Sequence, residues 1–481
     1  MATVQEKCGI FGVYGEGLDV SRLSFFGLFA LQHRGQENSG IAASNGKTLR
    51  AHKGAGLVTQ VYTEEVVKDL PGYIAIGHNR YSTFGGTSLG HTQPVVVDPI
   101  LGLGKGKGIT VADGLLAFAH NGNLPSVRAL IEFLEKKGID HVNLSDSEMM
   151  AEAIGQYVRS GKSLPDAVQL AHPLFTGAFS ALAMTKDTLV AVRDTCGIRP
   201  LAIGKLNGGF VFASETCAFH AIGVEFVREV NPGEMVVVDK QGLRSVQVAP
   251  ATPKVDIFEF VYFARPDSII SGRSVYEVRR NFGLRLAREF PIEADVVVPV
   301  PETAIPVATA YANALGLPFE MGLVKNRYIH RTFIQPEQHS RDLGVKMKLT
   351  PLPEVLAGKR VIIMDDSIVR GTTSRQIVKM IFEAGAKEVH FLVSSPPVRY
   401  PDFYGIDIPR QDDLIASRKS VEEIRDFLGA TSLHYLSLDG MVAATGLPAD
   451  RFSTSCFTGE YPIDLHERVR DFTVPAAAAL A

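Results

Sequence analysis

The stretch Val361-Ile-Ile-Met-Asp-Asp-Ser-Ile-Val-Arg-Gly-Thr-Thr373 decides the fold of the second half of the chain. An apolar run ends in two carboxylates, crosses a short loop containing Gly371, and enters a segment with helical spacing, TSRQIVKMIFEAGA. A strand that hands over to a helix in this way is the repeating unit of a parallel sheet. Backbone amides of the loop and of the first helical turn, with the hydroxyls of Thr372 and Thr373, are suited to hold a phosphate against the positive end of the helix dipole. Ser367 and Arg370 lie in the same loop and join that set. Asp365 and Asp366, at the strand end, are placed to accept hydrogen bonds from vicinal sugar hydroxyls and to help hold Mg²⁺, a hard cation that prefers oxygen ligands. Capping a helix needs only one acid, so the pair asks for a further reason.

Outward from this stretch, from about Ile257 onward, apolar strands alternate with amphipathic helices: ADVVVPVP, TAIPVATAYANALG, KRVIIMDD and VHFLVSS follow one another. The rhythm predicts a doubly wound parallel sheet with its ligand at the carboxyl ends of the strands. A second loop, Val298-Pro-Val-Pro-Glu-Thr303, ends another apolar strand and should lie beside the first, where a pyrophosphate group fits. The segment from Lys325 to Pro336 carries Lys325, Arg327 and Arg331 with little periodicity, and reads as a basic lid that would exclude water from the chemistry.

From Cys8 to about Val248 the pattern is different, with short apolar runs such as CGIFGVYG, YIAIGHNRYST and LLAFAHNGNL punctuated by glycine and interleaved with helical runs such as SEMMAEAIGQYVRS. Sheets covered by helices are expected there. APATPKVD, residues 249–256, is the natural linker. A chain of 481 residues exceeds what one core usually supports, and 46% hydrophobic with 21% charged residues is the make-up of a globular α/β protein. A formal net charge of -3 offers no field to attract nucleic acid or an anionic membrane, so small-molecule partners are expected. Residues 1–7 lack the apolar core of a secretory signal, no stretch suits a bilayer, and a cytoplasmic location is expected. Cysteines at 8, 196, 217 and 456 have neither disulfide nor zinc spacing.

Cys8, in Lys-Cys-Gly-Ile-Phe-Gly, is the candidate nucleophile of the first half. If residues 1–7 are removed as a leader, its freed α-amino group, with a reference pKa of about 7.7 to 8.0, becomes its own general base. Downstream come Gln32-His-Arg-Gly-Gln36, Gly77-His-Asn-Arg-Tyr-Ser82, His120-Asn-Gly-Asn-Leu124 and Ser145-Asp-Ser-Glu148. In that order and at those intervals they resemble the class II, or N-terminal nucleophile, glutamine amidotransferases. The resemblance implies a four-layer αββα domain over 8–248, with Arg80 on the α-carboxylate of glutamine and Asp146 on its α-ammonium group. It also implies an oxyanion hole from Asn121 and the amide of Gly122, and Arg34 either binding glutamine, supporting the residues that do, or gating the loop.

The Val361–Thr373 stretch resembles the signature of type I phosphoribosyltransferases, which implies such a domain over 257–450, with Thr303 joining Asp365 and Asp366 at Mg²⁺ and Lys325 and Arg331 on phosphoribosyl pyrophosphate. A C-terminal helical extension, 451–481, completes the expectation. With Glu259-Phe-Val-Tyr-Phe-Ala-Arg-Pro-Asp-Ser268, Arg193-Asp-Thr-Cys-Gly-Ile-Arg-Pro-Leu201 and Cys456-Phe-Thr-Gly-Glu-Tyr-Pro462, the full length is similar to the glutamine phosphoribosylpyrophosphate amidotransferases. That resemblance implies ammonia release at Cys8, passage through an internal channel to which Tyr262 contributes unless it only packs, and attack on C1 of the ribose in the first committed step of purine synthesis. A homotetramer inhibited by purine nucleotides is implied too. Many relatives with a leader carry a four-cysteine iron-sulfur cluster, whereas here Asp256, Asp402 and Ser453 stand at three ligand positions and only Cys456 remains, so no cluster is expected. The competing reading is a non-catalytic sensor of phosphoribosyl pyrophosphate or nucleotides that keeps the fold.

Overall fold

A computed structural model describes residues 8–80, 91–98, 102–103, 111–326, 348–405 and 410–471. Up to residue 247 the strands assemble into two antiparallel sheets, one of eight strands and one of seven. In the first, Gly9–Tyr14 lies between Ile74–Arg80 and Gly209–Ala213; in the second, Leu116–Ser126 pairs with Thr176–Met184.

The two-residue period of each strand sets what its faces meet. Phe11 and Val13 point to a core shared with Leu28 and Leu31 at the helix Val20–Ala30, whereas Ile10 points to a core shared with Leu182 of the other sheet. On the second sheet Leu116 and Phe118 pack on Met150 and Ile154 of the helix Asp146–Arg159, while Ala117 and Ala119 face the first sheet. Small residues let the sheets approach: a Cβ on Gly12 would lie 2.9 Å from Leu182 Cδ1. The result is the four-layer αββα arrangement expected. Helix Asp146–Arg159 starts at a reciprocal capping box, Ser145 accepting from the Glu148 amide while Glu148 accepts from the Ser145 amide.

In the second half a parallel sheet runs in the order Val296–Pro299, Arg360–Asp365, Glu388–Val393, Ser432–Tyr435. Val297, Ile362, Met364 and Leu392 pack against helices Val275–Glu289 and Ile305–Leu315. Val296, Val298, Val361 and Ile363 pack against Thr372–Glu383 and Val421–Leu428 on the opposite face. Both faces are covered, which is why these strands read as unbroken apolar runs instead of alternating ones.

The linker is tied down along its length: Thr252, Lys254 and Asp256 donate their amides to the carbonyls of Thr195, Cys196 and Ile198 at 2.8, 2.7 and 3.3 Å. Pro253 falls between donors, where its missing N–H costs nothing. Val255–Asp256 then pairs in parallel with Phe452–Ser453. The described part of the C-terminal extension holds that two-residue strand, the short helix Ser455–Thr458 and the 3₁₀ turn His466–Asp471.

Candidate active site

Cys8 leads into Gly9, which pairs with Asn79, so Cys8 and Arg80 leave the first sheet at the same edge. Cys8 is half-buried, and Arg80 is buried at the strand end. The 3₁₀ turn Gln32–Arg34 packs onto that edge, and Gly35 makes the approach possible: a Cβ there would lie 2.7 Å from the carbonyl carbons of Asn79 and Arg80.

Arg34 is turned inward beneath Cys8. Its side chain is only 1% exposed, and its Nε donates to the Cys8 carbonyl at 3.3 Å. The rest of the guanidinium is taken up by Glu215 and by Glu259, the latter in two bonds of 3.0 Å. The Glu215 carboxylate also accepts from the Ser268 hydroxyl at 2.6 Å and the Arg265 amide at 2.9 Å. Burial pushes Glu259 up, whereas at Glu215 the neighbouring His33 and Arg34 overcome burial and hold the carboxyl well below the ordinary carboxylate range.

Across from this edge stands the end of Leu116–Ser126. His78, two residues before Arg80, donates from Nε2 to the His120 carbonyl at 3.2 Å and ties the two sheets together. Burial and the charge of Arg80 hold His78 neutral, down to about 3. The next residue, Asn121, is 1% exposed, and its Nδ2 has no hydrogen-bond partner among the described residues. A buried amide donor left without a partner is costly, so it marks a place where a ligand oxygen belongs. Gly122 has φ +146°, and a Cβ on it would lie 1.9 Å from the Ala178 carbonyl oxygen, so only glycine fits. Asp146, at the start of its helix, accepts from the Leu124 amide at 3.3 Å and the Ser147 amide at 2.7 Å. Cys8 and Arg80 on one sheet edge thus stand opposite Asn121, Gly122 and Asp146 on the other.

The second centre lies at the carboxyl end of the parallel sheet. Asp366 donates its amide to Asp365 Oδ1 at 2.9 Å and accepts the Ser367 hydroxyl at 2.7 Å. Burial raises the Asp366 carboxyl to about 6, with Ser367, Arg279 and Thr303 pulling the other way. Asp365 is pushed well above the ordinary range by burial and by the charge of Asp366. Gly371, at φ +74°, ends the loop where a Cβ would lie 2.9 Å from Ile415 Cδ1, and Thr372 begins the helix. Lys325 ends the strand Leu323–Lys325 and lies 4.0 Å from Glu302 of the neighbouring loop. Arg370 is engaged by Asp413 at 2.7 Å. Arg327, Arg331 and residues 1–7 lie outside the described residues.

Between the centres runs the π-helical segment Glu259–Phe263. Glu259 holds Arg34 below Cys8, and the buried Arg279 donates to the Phe260 and Ala264 carbonyls, both at 2.8 Å, on the side of Asp366. Tyr262, in this segment, is half-buried against the core with its ring edge-on to Phe263. Spacing gave no hint of Glu215 or Glu259; an acid inside the apolar run Phe258-Glu-Phe-Val-Tyr-Phe263 was the available signal.

Asp256, Asp402, Ser453 and Cys456 do come together, around Arg199. This fully buried guanidinium donates to Asp256 at 2.9 Å, lies 3.7 Å from Asp402, and gives two bonds to the Tyr404 carbonyl at 2.9 and 2.7 Å. Burial and the neighbouring aspartates push the Cys456 thiol far up. Two carboxylates, a hydroxyl and one reluctant thiol around a cation do not fit a cluster that needs four soft thiolates.

With this geometry in hand, comparison with known proteins is specific. Residues 105–221 match the glutamine amidotransferase domain family and residues 271–396 the phosphoribosyl transferase domain family. The chain is 47% identical to the amidophosphoribosyltransferase of Synechocystis over 97% of its length and 93% of the relative's, and 43% identical to that of Bacillus subtilis over 96% of both. The structure of the Bacillus subtilis glutamine phosphoribosylpyrophosphate amidotransferase complexed with ADP and GMP superimposes with a TM-score of 0.86 at 42% identity, covering 98% of this chain and all of that one.

Proposed function

The chain belongs to the amidophosphoribosyltransferase family, making 5-phosphoribosylamine, glutamate and pyrophosphate from glutamine, phosphoribosyl pyrophosphate and water, and from this premise we propose how its residues divide the work. Arg80 takes the α-carboxylate of glutamine and Asp146 the α-ammonium group, setting the side-chain amide against Cys8. The Cys8 sulfur attacks the amide carbon, and the oxyanion is received by Asn121 Nδ2 and the Gly122 amide. Collapse expels ammonia and leaves a thioester, which water cleaves to glutamate. The α-amino group of Cys8, freed by loss of residues 1–7, moves the protons.

Ammonia then crosses an internal channel along the Glu259–Phe263 segment to the second centre, where it attacks C1 of the ribose as pyrophosphate leaves. Ser367, Arg370, Gly371, Thr372 and Thr373 cradle the 5-phosphate, Lys325 and Arg331 neutralise the pyrophosphate, and Asp365 and Asp366 hold the ribose hydroxyls. The unmet negative charge of the two carboxylates, with the Thr303 hydroxyl, fits Mg²⁺, which when bound supplies charge neutralisation on the leaving group. Arg199 stands in for an iron-sulfur cluster. Purine nucleotides act as feedback inhibitors, as the ADP and GMP of the Bacillus subtilis complex suggest for this chain, in a cytoplasmic homotetramer. Among the described residues no helix is long and apolar enough to cross a membrane.

The observation that carries the reading is the orphan donor of Asn121 beside a glycine that no other residue can replace, on the edge opposite Cys8. Asn121→Ala tests it: glutamine-dependent pyrophosphate release should fall about 100-fold or more while ammonium-dependent release stays normal. Equal turnover of variant and wild type with glutamine would refute the assignment.

A further inference from the structure

The end of the strand that bears Asn121 and Gly122 is covered by a segment of the other half, Asp402-Phe-Tyr-Gly405. The Asn123 side-chain amide donates to the Phe403 carbonyl at 2.8 Å. Gly405, at φ +113°, touches the Gly122 backbone so closely that a Cβ on it would lie 3.1 Å from the Gly122 carbonyl carbon. On its other side Gly122 meets the Ala178 carbonyl, so its peptide is gripped from two directions.

The gripping segment is itself anchored. Arg199 gives two hydrogen bonds to the Tyr404 carbonyl, the Tyr404 amide donates to Asp402 at 2.9 Å, and the Tyr404 hydroxyl donates to the Ile463 carbonyl at 2.6 Å. Phe403 and Tyr404 are buried in one cluster with Ala178, Ile198 and Leu465. A segment so fixed transmits its position to whatever it touches, because close-packed groups cannot yield without opening a void or a clash.

We propose that Asp402–Gly405 is a positioning element of the glutaminase centre, with Gly405 and the Asn123–Phe403 hydrogen bond holding the Gly122 peptide where it can receive the thioester-forming oxyanion. The inference rests on Asn121 and Gly122 being the oxyanion hole, and it adds that the hole is finished by residues some 280 positions further along the chain. Nitrogen release is thereby made dependent on an intact second half.

The test compares Gly405→Ala and Asn123→Ala with the wild-type full-length enzyme. Each should lower kcat with glutamine, Gly405→Ala by about 100-fold and Asn123→Ala by about 10-fold, with KM for glutamine and ammonium-dependent synthesis within about 2-fold of wild type. Affinity for the γ-aldehyde analogue of glutamine is the second readout. The Cys8 S–H adds across its carbonyl to give a tetrahedral adduct whose oxygen occupies the same hole, so its affinity should fall by the same factor as kcat. A general packing defect would instead lower ammonium-dependent synthesis as well. Normal glutamine turnover in either variant, or a lower kcat with unchanged aldehyde affinity, overturns the proposal. Should Gly405→Ala fail to fold, Asn123→Ala decides, since it removes a single hydrogen bond. If Asn121→Ala itself leaves turnover with glutamine unchanged, the oxyanion-hole assignment fails first and is told apart from failure of the positioning role.

Discussion

Around Cys8 Arg34 is held by two glutamates and His78 is kept neutral, whereas Asp365 and Asp366 stand side by side at a half-buried strand end, where desolvation raises both. One centre is pre-built between two antiparallel sheets and leaves the side-chain amide of Asn121 without a partner among the described residues. The other sits on loops at the end of a parallel sheet and carries unmet charge that its ligands must satisfy. The difference follows the chemistry. Amide cleavage needs a fixed oxyanion receptor, while displacement of pyrophosphate needs charge that is neutralised only when the substrate is in place.

The largest effect expected from this contrast is at Cys8. Cys8→Ala should remove glutamine-dependent synthesis by about 10,000-fold while ammonium still supports it, as read by pyrophosphate release with each nitrogen source. Loss of both activities would show that the centres are not separable. Asp365→Asn with Asp366→Asn should lower synthesis with either nitrogen source by about 100-fold to 1,000-fold. A defect confined to glutamine would place those acids in the wrong centre.

Stability separates the two plans next. Arg34→Met leaves buried Glu215 with His33 and buried Glu259 with only Arg199 at 3.5 Å, and should cost about 3–5 kcal/mol in urea unfolding; less than about 1 kcal/mol would mean that the network is not needed. At the second centre the sign is opposite. Asp366 has a folded pKa of about 6 against an ordinary 3.8, so the native state binds the proton more tightly. Its contribution to stability is full below about pH 4 and is lost as pH rises through about 6. Metal-free protein should therefore lose thermal stability over that window, Asp366→Asn should flatten the loss, and Mg²⁺ at neutral pH should restore stability to the wild type but not to the double variant. The smallest effect is expected at the cap that presents Asp146: Ser145→Ala should cost about 1 kcal/mol and raise KM for glutamine a few-fold. An unchanged KM would separate the helix cap from the glutamine site.

Local chemistry made much of this readable in advance. The run Val361–Met364 and its acids, the capping box of Ser145 and Glu148, and the Asn121-Gly122 pair each announce themselves within a few residues, because strand burial, capping and positive φ act over that range. What stayed hidden is long-range. Arg34 meets Glu259 from 225 positions away, and Asn123 meets Phe403 from 280, so no periodicity relates them. The anchoring of the linker was hidden for a related reason: its alternate amides find the carbonyls of residues 195–198, more than 50 positions away.

The central claim is that nitrogen freed beside Cys8 reaches the ribose without leaving the protein. Glutamine labelled with ¹⁵N in its amide, supplied with a large excess of unlabelled ammonium and phosphoribosyl pyrophosphate near neutral pH, puts this to the test when product is trapped as it forms and weighed by mass spectrometry. The account predicts phosphoribosylamine that carries ¹⁵N almost throughout; product diluted to the isotope ratio of the surrounding solution would contradict it.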